Sequence, residues 1–228
     1  MTAGPGDAAS ELHLPEHGER PAQRTAHCIV ERIVLTGFMG AGKTTVGRRL
    51  ATTLGWEFLD TDDLVRTTHH ASPAEIFATR GEAFFRRAEI EALATALERS
   101  ACVIGLGGGL LETPDALTSI LGSRGTLLVF LEAPLETLLA RCQADTMGPA
   151  RPVLEQRSGL AERYARRLPS YQRAHLTVAT EGLTAESVVL RILAALSNLT
   201  ALNKPGSPEQ LDSPEQPGSS ARENAQPR

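Results

Sequence analysis

Residues 32–54 read RIVLTGFMGAGKTTVGRRLATTL, and this stretch decides the fold. Arg32–Thr36 is a short apolar run rich in β-branched residues, as a strand requires. It enters Gly37-Phe38-Met39-Gly40-Ala41-Gly42-Lys43-Thr44, which satisfies GxxxxGK[ST] at every fixed position. A helix is predicted from Lys43 to Leu54. The spacing has a physical reason. Glycines let successive backbone N–H groups curl around phosphate oxygens, and the helix N-terminus adds positive potential. In this arrangement Lys43 reaches the β- and γ-phosphates, and the Thr44 hydroxyl can ligate Mg2+. A glycine-rich turn without a ligand is the competing reading, but the complete motif in its strand–helix setting outweighs it. The motif predicts a bound nucleoside triphosphate. It does not say whether the nucleotide serves transfer to a small molecule, hydrolysis or a switch.

Downstream the alternation continues. Trp56–Asp60 reads as a strand that ends on carboxylates. Ser72-Pro73-Ala74-Glu75 has capping-box spacing with proline at the first helical position, so a helix starts there. A second helix covers Glu82–Arg99, followed by an apolar strand, Cys102–Leu106. Thr126–Leu131 is another apolar strand, and a helix runs from Pro134 to Cys142. Helix 159–172, strand 175–179 and helix 184–197 complete the series. Short strands alternating with helices predict an α/β fold, a parallel sheet covered by helices on both faces. Ligands of such sheets sit beyond the carboxyl ends of the strands.

Composition narrows the function. The chain has 228 residues, enough for one domain with a sizeable core. A formal net charge of −4 supplies no global field for nucleic acid or an anionic membrane, so neither is an expected partner. An anionic ligand must therefore be held by arginines placed locally. Three cysteines without a CxxC pair suggest neither a disulfide framework nor a zinc site. No stretch approaches the roughly 18 apolar residues of a membrane span. The first residues lack the apolar core of a secretion signal, and a reducing cytoplasm is the expected address. Residues 1–28 and 201–228, the latter with SPEQ twice, are too poor in apolar side chains to offset their ordering entropy. Both are expected to be disordered around a folded domain at 29–200.

Several residues stand at strand ends. Asp60 and Asp62, two apart on an extended segment, should project toward one pocket. One would orient a Mg2+ shell while the other accepts a proton from an attacking hydroxyl. Asp63 suits a helix N-terminus and is assigned no chemistry. Arg86 lies near a helix start, where a pair with Glu82 is its plain reading. Gly107, Gly108 and Gly109 come directly after a strand and allow close approach of a ligand to the backbone. Arg151 sits in TMGPARPVL, residues 146–154, whose Gly and two Pro predict a mobile loop between helices. Such a lid can carry an arginine to the transferred phosphoryl group. Arg167 lies in Arg166-Arg167-Leu168-Pro169-Ser170-Tyr171, where a solvated surface is the plain reading.

In order, GFMGAGKTT, LDTD, IFATRGEAFFRR, LGGG, ARPVL and ARRLPSY resemble the shikimate kinase family over residues 29–197. The resemblance implies a three-layer α/β/α P-loop kinase fold with five parallel strands ordered 2-3-1-4-5. It implies a substrate-binding region near 61–90 and a mobile lid near 143–156. It also implies transfer of the γ-phosphoryl group of ATP to the 3-hydroxyl of shikimate, with Mg2+, in the synthesis of chorismate. By that resemblance Gly40, Ala41, Gly42, Lys43, Thr44 and Thr45 would hold the ATP phosphates, and Thr44 and Asp60 the metal. Asp62 would bind the reactive hydroxyl. Arg86 and Arg167 would grip the substrate carboxylate beside Gly107, Gly108 and Gly109, while Arg151 would meet ATP phosphates from the lid. Arg141 would match the family's adenine-side arginine. Gly105 stands where members often carry Ser or Ala, and a second adenine-side arginine near 179–182 has no counterpart. The expected partners are ATP and shikimate, and the expected state is a monomer. Two rivals remain: a gluconate-type kinase on the same scaffold, and a nucleotide-sensing module that has lost catalysis.

Overall fold

A computed structural model describes residues 30–144 and 158–202. Five strands form one sheet: β1 (Arg32–Thr36), β2 (Glu57–Asp60), β3 (Cys102–Gly105), β4 (Thr126–Glu132) and β5 (Leu176–Ala179). They lie in the order β2-β3-β1-β4-β5, and every pairing is parallel. The expected order is the observed one. Apolarity explains which strands are central. All residues of β1 and β3 are buried, as are the five inner residues of β4, whereas β2 and β5 at the edges are half-exposed. The expected strand starts at Trp56 and His175 each fall one residue early.

Helices α1 (Lys43–Leu54), α2 (Thr61–His69), α3 (Pro73–Leu97), α4 (Pro114–Gly122), α5 (Leu135–Ala144), α6 (Ser158–Tyr171) and α7 (Ala185–Leu202) surround the sheet. Helices α1 and α7 pack on each other, and so do α2 and α3. Ser72 and Glu75 close a capping box with Pro73 in the first turn, as the sequence predicts. Gly81, with φ 78° and ψ 171°, breaks α3 into the two helices expected around it.

Helices α2 and α4 are additions to the expected series. In α2 only Leu64 and Val65 of nine residues are strongly apolar, so periodicity gives little signal. In α4 Pro114 occupies the first turn, a start signal present in the sequence. The main core joins β1, β3 and β4 to α1 and α7. A second, small core of Val65, Ile76, Phe85, Ala88 and Ala92 lies between α2 and α3. The region at 61–90 therefore has apolar packing of its own. Residues 143–156, expected to form a lid, fall mostly outside the described residues, as do both expected tails.

Candidate active site

The phosphate loop leaves β1 and packs down on its neighbours. Gly37, Gly40 and Gly42 all have φ between 76° and 146°, where only glycine is unstrained. At Gly40 a Cβ would strike the Leu138 carbonyl oxygen and come within 2.9 Å of Cys142 Sγ, so α5 fixes how tightly the loop can curl. Gly42 is the N-cap of α1 and offers no side-chain cap, which leaves the first N–H groups of that helix for an anion. Lys43 Nζ donates to the carbonyls of Gly37 (2.7 Å) and Phe38 (3.3 Å), lying back across the loop. Gly40→Ala is expected to cost about 1–2 kcal/mol from positive φ alone, and the backbone clash adds to it. Denaturant unfolding and ATP calorimetry should show both stability and affinity falling; wild-type values for both would contradict this packing.

The carboxylates stand at the end of β2, though not on an extended segment. Asp60 is the last strand residue and the N-cap of α2, and its Oδ1 accepts from the Asp62 amide at 3.0 Å. Asp62 already lies in the first turn of that helix. Both face the phosphate loop because the strand end and the helix start turn there together. Asp60 Oδ2 is left for the Thr44 hydroxyl, 3.3 Å away. Asp63 pairs outward with Arg66 at 2.6 Å and takes no part. Burial, reinforced by the negative charge of Asp60, pushes the Asp62 carboxyl up to about 6 against an opposing pull from Lys43. Burial also raises Asp60 above the ordinary carboxylate range, although its bond from the Asp62 amide opposes this.

The glycine triplet after β3 forms the floor beside these acids. Thr61, fully buried, accepts from the Gly107 amide at 2.8 Å and so ties the end of β2 to the triplet. Any Cβ on Gly107 would overlap Asp62 Oδ1 and stand 3.2 Å from Glu89 Oε1. Arg86 Nη1 lies 2.9 Å, Arg167 Nη2 3.2 Å and Glu112 Oε2 3.4 Å from the place of a Cβ on Gly109. The two arginines, 81 positions apart in sequence numbering, thus converge on one floor. Arg86 pairs with Glu82 at 3.3 Å, as expected, and more closely with Glu89 at 2.7 Å. Arg167 is only 11% exposed, so the solvated reading of this residue fails. Its guanidinium lies 5.7 Å from the Phe38 ring centroid and bonds Glu112 at 2.8 Å, while its Nε is buried without a partner. Tyr171 fixes the triplet from below: it stacks on Phe130 and donates to the Gly108 carbonyl at 3.2 Å. Its hydroxyl, pushed up to about 12 by burial, stays protonated.

Arg141 binds the Thr180 hydroxyl and carbonyl at 3.0 and 2.6 Å, on the far side of the phosphate loop near 179–182. Arg151 lies outside the described residues. At Gly105 a Cβ would stand 3.2 Å from the Phe58 ring, which also fills the space above Gly47. A Ser or Ala side chain there would need the ring to give way by a few tenths of an ångström. Glu89, Glu112 and Thr61 escaped the sequence reading. Glu89 had a signal, a carboxylate on the face of α3 that carries Phe85, Ala88 and Ala92. Glu112 had none, because its partners are 54 and 55 residues away.

Thr44 and Asp60 suit a hard cation: a hydroxyl and a carboxylate, with room for phosphate and water oxygens, match the preference of Mg2+. Among the described residues no group of three or more His, Cys, Asp or Glu could hold a metal alone.

Residues 39–197 match the family model for shikimate kinase. The shikimate kinase of Moorella thermoacetica is 42% identical over 166 residues, 72% of this chain and 93% of that protein. That of Chlorobium chlorochromatii is 40% identical over 175 residues, 70% of this chain and 90% of that protein. Among solved structures, the shikimate kinase from Acinetobacter baumannii in complex with shikimate aligns with a TM-score of 0.68 at 35% identity. The match covers 76% of this chain and 97% of that one. A gluconokinase from Sinorhizobium meliloti aligns with a TM-score of 0.51 at 21% identity, a likeness of fold alone.

Proposed function

Because the chain belongs to the shikimate kinase family, its reaction is transfer of the γ-phosphoryl group of ATP to shikimate, and we propose that the side chains gathered beyond β1, β2 and β3 perform it. The observation that carries this assignment is the convergence of Asp62, Arg86 and Arg167 on one glycine floor beside the phosphate loop.

Phosphoryl transfer needs little covalent help from a protein; it needs positioning and charge neutralisation. The backbone from Gly40 to Thr45 and the start of α1 hold the phosphates. Lys43 leaves the Gly37 and Phe38 carbonyls to meet the β- and γ-oxygens. Thr44 and Asp60 Oδ2 would hold Mg2+, which when bound neutralises phosphate charge. Arg86 and Arg167 clamp the carboxylate of shikimate, and Gly107–Gly109 let its ring lie against the backbone. Asp62 accepts the proton of the 3-hydroxyl as its oxygen attacks the γ-phosphorus. The bond to the bridging oxygen breaks, and ADP leaves. Arg151 would add charge from the lid, and Arg141 with the 179–182 turn would border the adenine. Both roles rest on the resemblance. A monomer is the proposed state. Free Cys102 and Cys142 suit a reducing cytoplasm.

Arg86→Lys tests the clamp. Lysine keeps the charge but loses the planar fork, so KM for shikimate should rise about tenfold or more while kcat and KM for ATP stay near wild type. Unchanged shikimate kinetics would remove Arg86 from the carboxylate site.

A further inference from the structure

Glu112 has no part in phosphoryl transfer as described, yet it is bonded into the wall of the carboxylate site. It ends the 3-10 turn at Leu110–Glu112, directly after the glycine triplet, and its amide donates to the Gly109 carbonyl at 3.0 Å. Its Oε2 accepts from Arg167 Nη2 and its Oε1 from Arg166 Nε, each at 2.8 Å. Across the floor, Arg86 carries Glu89 and Glu82. These ion pairs join three arginines to three glutamates, a formal charge of +3 − 3 = 0, and Asp62 beside Gly107 adds one negative charge. The wall holds the guanidinium groups of Arg86 and Arg167 in place without net positive charge. Without Glu112 the ion-paired groups alone would carry +1, and with Asp62 counted the wall would be neutral rather than −1, a weaker barrier to any phosphate or polycarboxylate.

We propose that Glu112 is a specificity-determining residue: a fixed internal anion on Arg167 that lets the site accept one carboxylate and reject acceptors with a second negative charge. The inference rests on the reading of Arg86 and Arg167 as the carboxylate clamp. Glu112 acts through Arg167 and Arg166, and it selects by repulsion, a charge set against the wrong ligand. Because like charges within several ångströms repel in this partly buried setting, a second charge on the ligand meets Glu112 and Asp62 together.

The test uses the full chain and three probes: shikimate, its methyl ester and a cyclohexene dicarboxylate. Dissociation constants are measured for wild type, Glu112→Gln, Glu112→Ser and Glu112→Asp. Glu112→Gln and Glu112→Ser should bind the dicarboxylate about tenfold more tightly and shikimate at most about threefold more tightly. The ester should be unaffected; Glu112→Asp, which keeps the charge, should keep the discrimination. A residue that only braces the fold would weaken all three ligands together or lower Tm without changing their ratio. If the ester binds wild type as well as shikimate does, the clamp reading itself fails. If the ester is weak but the ratio of dicarboxylate to shikimate is the same in all variants, the proposal for Glu112 alone is overturned.

Discussion

Asp62→Asn is expected to lower kcat by about 100- to 10,000-fold, with ATP affinity nearly unchanged, because the variant keeps the shape of the side chain and loses only its basicity. In the proposed mechanism Asp62, rather than its neighbours, is the base. Asp60 already spends Oδ1 on the α2 amide and directs Oδ2 to Thr44, while Asp63 turns outward to Arg66. Asp62 faces the floor at Gly107, on the side where Arg86 and Arg167 converge. Its carboxyl, pushed up by burial and by Asp60 to about 6, is basic enough to take a proton near neutrality. Activity therefore needs the charged form, and kcat/KM should fall as pH drops through about 6.

Stability runs the other way. A carboxyl whose folded pKa lies above its unfolded value of 3.8 binds protons more readily in the folded chain, so its burial destabilises the fold above about pH 6. That cost is relieved as pH falls toward 3.8. At pH 8, Asp62→Asn should therefore be more stable than wild type by about 1–2 kcal/mol, since the partly wet carboxylate feels less than the full shift. The difference should vanish below about pH 4. An inactive variant that gains stability marks a residue retained for chemistry. Steady-state rates and denaturant unfolding across pH provide both readings, and near-normal kcat in Asp62→Asn would take the base away from this site.

Lys43→Ala should reduce kcat/KM by about 100- to 1,000-fold, the scale of losing one preorganised cation at developing charge. In the present arrangement the amine bonds two loop carbonyls, Gly37 and Phe38, from which it would move to the phosphates. Calorimetry with ATP and turnover with saturating shikimate separate the binding and rate contributions. Turnover within about twofold of wild type would exclude Lys43 from the charge-neutralising set.

The parallel sheet was legible because β1, β3 and β4 are continuous apolar runs and the glycine-rich loop commits the chain to a helix after β1. Their spatial order was not; it came from the resemblance, and the pairings agree with it. Candidate site residues could be named from the sequence where a local pattern carried them, as with Gly40–Thr45 at the phosphate loop. Asp60 and Asp62 were rightly placed at one rim for a partly wrong reason, because the polar sequence of α2 hid the helix that turns them. The network among Arg86, Glu89, Arg167 and Glu112 was invisible beyond its i,i+3 and i,i+4 pairs. It depends on α6 folding back against the turn after β3, a contact between residues more than 50 positions apart. Phe58 filling the space over Gly47 and closing on Gly105 is likewise a packing fact with no trace in spacing.

The central claim is that one rim of the sheet brings a nucleotide to a ring acid held by its own arginines. Its most direct test is ADP release measured with purified chain, Mg2+ and ATP, offered shikimate, gluconate or no acceptor. The account predicts rapid release with shikimate and only background with the other two. Release that is equal in all three, or greatest with gluconate, would contradict it.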